Sequence, residues 1–103
     1  MKLRMGIAKH HWVSRSGYLG YQGFYLRVYK RNYVKRIASV DVVRAGNTWT
    51  ITRVDPGTSG VGLIKTLLHR TFKTYDVLDS TVCDALNALK EKLNENANTQ
   101  TPV

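Results

Sequence analysis

A chain of 103 residues carrying sixteen basic and seven acidic side chains, net charge +9, is long enough for one domain and too short for two. Its 43% apolar content is near the globular average and excludes a wholly disordered chain, while the lone Cys83 excludes an intrachain disulfide framework and a cysteine-rich zinc module. No apolar run approaches the roughly 20 residues of a membrane-spanning helix, and Lys9, His10 and His11 interrupt any leader-like stretch, so a cytoplasmic location is expected.

Residues 1–20 read as a basic arm and loop. Leu3, Met5 and Ile7 alternate with Lys2, Arg4 and Gly6 as in a short strand, and Ser14, Arg15, Ser16 and Gly17 then read as a turn. A clear strand covers about 22–31, where Phe24, Leu26 and Val28 alternate with Tyr25, Arg27 and Tyr29. Asn32 marks a bend, and a second strand at 35–44 is rich in β-branched Ile37, Val40, Val42 and Val43. Ala45, Gly46 and Asn47 supply a turn into a third strand at 48–54, with Trp49 and Ile51 on one side and Thr50 and Thr52 on the other.

Pro56 and Gly57 suit the central positions of a type II turn. Residues 61–72 read as a short helix or turn followed by an extended 70–72. The last element is an amphipathic helix of about 18 residues, capped by Asp76 with Asp79 completing an approximate capping box. Its apolar stripe is Leu78, Val82, Ala85, Leu86, Leu89 and Leu93. The expected fold is α+β: a small three-stranded antiparallel sheet, with the N-terminal strand as an optional fourth, backed on one face by the C-terminal helix. Residues 21–94 would form the single domain and 95–103 a flexible polar tail. Three strands, Thr71, Phe72, Lys73 and Thr74, then a helix, form an order similar in outline to small DNA-binding domains of the integrase arm-binding kind. That likeness covers about residues 22–93 and implies a sheet laid in the major groove with the helix behind it. Residues 55–68 have no counterpart there, and no family is assigned from it.

Charge carries the functional reading. Residues 1–36 hold nine cations and no carboxylate, residues 1–75 sum to +12, and the remainder sums to −3. A one-signed field of this kind attracts a polyanion and releases counterions on contact, so a nucleic acid, DNA or RNA, is the expected partner. An acidic surface of a larger protein, bound by a small accessory or inhibitor protein, is the alternative. An uncovered sheet edge or helix face would also allow two copies to pair as a homodimer.

The candidate contacts are Arg15, Tyr25, Arg27, Tyr29, Lys30, Arg31, Lys35 and Arg36. Tyr25, Arg27 and Tyr29 share the strand face opposite Phe24, Leu26 and Val28, and rings beside a guanidinium suit base stacking or base-edge contact. Lys30, Arg31, Lys35 and Arg36 flank a turn, so four cations crowd one rim where phosphate would relieve their repulsion. The run of Gly17, Gly20 and Gly23 lacks the Gly-Lys-Ser/Thr ending of a phosphate loop. His10, His11 and His69 show no metal-ligand spacing, and no serine or carboxylate stands in a catalytic motif. Neither enzyme activity, a metal nor a cofactor is expected.

Overall fold

The computed structural model describes residues 4–13, 19–55 and 61–99. Strands β1 (Met5–Val13), β2 (Leu19–Tyr29), β3 (Val34–Ala45) and β4 (Thr48–Asp55) follow one another as an antiparallel meander. The two-residue strand β5 (Thr71–Phe72) adds to β4, giving a five-stranded antiparallel sheet in chain order. Helix α1 (Val61–Ile64) continues into a 3-10 turn at Lys65–Leu67, and α2 (Tyr75–Thr99) backs the sheet. The expected α+β arrangement of sheet and C-terminal helix is the one observed.

Period-two burial explains the layering. Phe24 and Leu26 on β2, Ala38, Val40 and Val42 on β3, and Ile51 on β4 are almost wholly buried beneath α2. The helix answers with Leu78, Val82, Leu86 and Leu89, spaced to form one stripe, and all four are buried. Ile64 and Leu67 extend this core through the α1 segment. Gly46 supplies the left-handed φ of 61° that the tight β3–β4 connection needs. His69 is also left-handed, at φ 69°, which lets its N–H donate to the Ile51 carbonyl at 2.9 Å and hook the turn onto β4.

Several boundaries differ from expectation. The N-terminal segment is a full nine-residue edge strand, paired with β2 from Met5 opposite Val28 to Val13 opposite Gly20. Polar Lys9, His10 and His11 hid it, because an edge strand tolerates polar side chains on both faces. The helix begins at Tyr75, so Asp76 lies in its first turn and is not the cap. Asp79 forms no capping box; it pairs with Lys9 on β1 at 2.6 Å. The helix also continues to Thr99, beyond the last apolar residue of its stripe, so residues 95–99 are helical where a tail was expected. The turn proposed at Pro56 and Gly57 lies outside the described residues. Among the described residues no helix is long and apolar enough to cross a membrane.

A polar cluster joins the start of α2 to the sheet. The Asp79 carboxylate accepts from Lys9 and, at 3.8 Å, from the Cys83 thiol. Tyr75 packs obliquely on Trp49, with ring centroids 5.2 Å apart, beside the buried Gln22. The hydrogen bond to Asp79 raises the Lys9 pKa above its ordinary value, while burial raises those of Cys83 and Tyr75. Each group holds its proton more tightly when folded than when unfolded. The stability they contribute is therefore complete below the ordinary thiol value of 9.0 and is lost as pH rises through the raised values. Melting temperature should stay level from pH 6 to 8 and fall above about pH 9. In the triple variant Lys9→Met, Tyr75→Phe, Cys83→Ser the alkaline decline should be shallower. An equal decline in parent and variant would assign it to other groups.

Candidate nucleic-acid interface

The sheet has one face under α2 and one open face, and strand register defines the open one. Trp12, Tyr21, Val43 and Thr50 form a row across β1 to β4; His10, Gly23, Asp41 and Arg53 form the next. Ala8, Tyr25, Ser39 and Asp55 follow, and then Gly6, Arg27 and Arg36. Two register shifts shape this surface. One lies at Leu26/Arg27, where Ile37 is the extra residue on β3, and the other at Asp41/Val42, where Thr52 is extra on β4. Bulges of this kind sharpen strand twist and re-aim the neighbouring side chains.

Tyr25, Arg27 and Tyr29 lie on the open side, as the alternation requires, but the rings are not equivalent. Tyr25 is only 7% exposed. It lies flat along its own strand over Gly23, a position where a side-chain carbon would collide with the Tyr25 hydroxyl. The Arg36 guanidinium covers its ring at 3.6 Å, and His10 packs at 5.3 Å between ring centroids. The expected free stacking ring at Tyr25 is thus corrected: the surface it offers is the outer plane of Arg36. Packing on an aromatic face removes water from the guanidinium and fixes its plane.

Arg27 is half-buried, and its Nη2 donates at 3.0 Å to His10 Nε2. Tyr29 is exposed and leans over Gly6, with the Arg4 guanidinium 5.7 Å from its ring centre. Lys30, Arg31 and Lys35 sit at the β2–β3 hairpin end, closed by Lys30 N–H donating to the Tyr33 carbonyl at 2.8 Å. All three are exposed and form no ion pair among the described residues. The hairpin register, Val28 opposite Lys35 and Tyr29 opposite Val34, brings both basic pairs to one end of the sheet. Arg15 lies outside the described residues.

Sequence reasoning missed three contributors. Trp12 is 51% exposed and stacks in parallel on Tyr21, with centroids 5.5 Å apart and planes 14° from each other. Arg4 joins the hairpin cations through β1, and Arg53 arrives beside Asp41 through β4. The period-two pattern of Ala8, His10 and Trp12 against Ile7, Lys9 and His11 was the available signal. Charge is also layered in space. The carboxylates of residues 76–103 that are described, Asp76, Asp79, Asp84, Glu91 and Glu95, all belong to α2 behind the sheet, whereas the hairpin cations border its open face.

With 103 residues in an α+β domain of this geometry, no protein-family model matches the chain, and no curated protein or solved structure matches it.

Proposed function

We propose that this chain is a nucleic-acid-binding module, and not an enzyme, that docks a phosphate backbone along the open sheet face and its basic hairpin rim. The observation that carries the reading is the gathering of Arg4, Arg27, Lys30, Arg31, Lys35 and Arg36 at one end of an uncovered sheet face. Lys30, Arg31 and Lys35 are exposed and unpaired among the described residues, so no internal anion competes for them there. The acidic outer side of α2 repels a polyanion, which leaves the sheet face as the approach.

Binding of labelled 20-mer DNA, single- and double-stranded, and of matched RNA tests this by fluorescence anisotropy at 50 and 200 mM salt. Affinity should fall on the order of 10²- to 10³-fold between these salts, as expected when several phosphate contacts release counterions. Absence of binding at 50 mM salt would overturn the reading. A defined complex with an acidic protein and little response to salt would replace it with the accessory-protein alternative.

A further inference from the structure

The open face carries a recess of ≈ 470 Å³ between the Trp12–Tyr21 pair, the Tyr25–Arg36 stack and β4. Its size falls in the range of about 300–1,000 Å³ usual for small-ligand pockets. Its lining contradicts a purely electrostatic role. Two carboxylates, Asp41 and Asp55, line it; Asp41 is half-buried and cross-strand from both Gly23 and Arg53. The backbone carbonyl of Asp41 accepts from Thr52 Oγ1 at 3.4 Å, yet its carboxylate forms no ion pair or hydrogen bond among the described residues. An unpaired carboxylate on a face meant only for phosphate weakens binding by like-charge repulsion. It makes sense against a ligand that brings donors.

We infer that this recess takes an unstacked guanine base of a single-stranded nucleic acid, with Asp41 as the reader of its Watson–Crick edge; the inference rests on the nucleic-acid reading above. A carboxylate only accepts hydrogen bonds, and its two oxygens match two adjacent donors. Guanine alone among the bases presents such a pair, N1–H beside N2–H. Adenine and cytosine offer one amino group beside an acceptor nitrogen, and thymine or uracil offers one N–H between two carbonyls. Arg53, on the neighbouring strand, supplies the donor that the guanine O6 needs. The planar Arg36 guanidinium, held 3.6 Å above Tyr25, gives the base a surface to stack on, and the Trp12–Tyr21 pair walls the other side. A duplex keeps this edge of guanine inside its base pair, so only single strands or loops can present it.

The test uses the full chain and dT 12-mers whose central residue is T, A, C, G or inosine, measured by anisotropy at fixed salt. The central-G oligonucleotide should bind about tenfold tighter than the A, C or T forms, in line with the discrimination of a bidentate base contact. Inosine, which lacks N2–H, should fall between. Asp41→Asn should erase the guanine preference while binding to all-dT holds or improves, since a like charge is removed; that combination separates base reading from misfolding. Equal affinity for all five oligonucleotides overturns the guanine site and leaves the nucleic-acid reading standing. Failure of every oligonucleotide to bind overturns both.

Discussion

Replacing Lys30, Arg31, Lys35 and Arg36 together with alanine should weaken binding to every oligonucleotide, roughly hundredfold at moderate salt. Lys30, Arg31 and Lys35 form no ion pair among the described residues, so on the proposed reading each substitution there leaves one phosphate without its cation. The dependence of log affinity on log salt should flatten by about 0.9 for each duplex phosphate no longer neutralised, or about 0.7 for a single strand. Arg36 differs from the other three, because its removal also uncovers the Tyr25 ring it packs against at 3.6 Å. The triple variant that keeps Arg36 isolates the electrostatic part. Lys90→Ala with Lys92→Ala on α2, behind the sheet, is the matched control and should leave affinity nearly unchanged. Should the quadruple variant bind as tightly as the parent at low and high salt, the rim does not hold phosphate.

Leu86→Ala should produce the largest loss of folding stability, about 2–5 kcal/mol. Leu86 is wholly buried at the centre of the α2 stripe, against a sheet face already filled by Phe24, Val40 and Ile51. Removing its side chain forfeits the transfer energy of the missing methyl groups and leaves a cavity that β-sheet and helix cannot both close. A domain of this size has about 5–15 kcal/mol of stability in total, so the melting temperature should drop by more than about 8 °C. Val77, 55% exposed on the same helix, is the reference: Val77→Ala should change stability by no more than about 0.5 kcal/mol. Chemical denaturation of the three proteins measures both effects. A loss below about 1 kcal/mol for Leu86→Ala would mean that the helix does not seal this core.

The layering and the identity of the strands were legible because burial imprints a period. Phe24, Leu26 and Val28 could face only one way, and Leu78, Val82, Leu86 and Leu89 could line only one side of a helix. The segregation of charge along the chain was equally plain, as was the turn at Gly46. These properties are local in sequence: each depends on residues within a few positions of one another, so the chain states them without reference to the fold.

The candidate site was legible only in part. Strand alternation was enough to assign Tyr25 to the open face, but not to hide it, since Arg36 reaches it from the neighbouring strand after a register shift that no pattern announces. Edge strand β1 carries polar residues on both sides and so left no clean period, which kept Trp12 and His10 out of the predicted interface. Nothing near Asp41 in the sequence marks it out; only the sheet sets it cross-strand from Arg53 and in one recess with the Tyr25–Arg36 stack. The helix boundary shows the same limit: Asp79 suits a capping box by spacing, and Lys9, far away on β1, claims it as an ion pair. Which face each side chain takes follows from chain chemistry at short range. Which side chains meet on that face is decided by strand pairing, bulges and helix docking, whose energies depend on partners far apart in the chain.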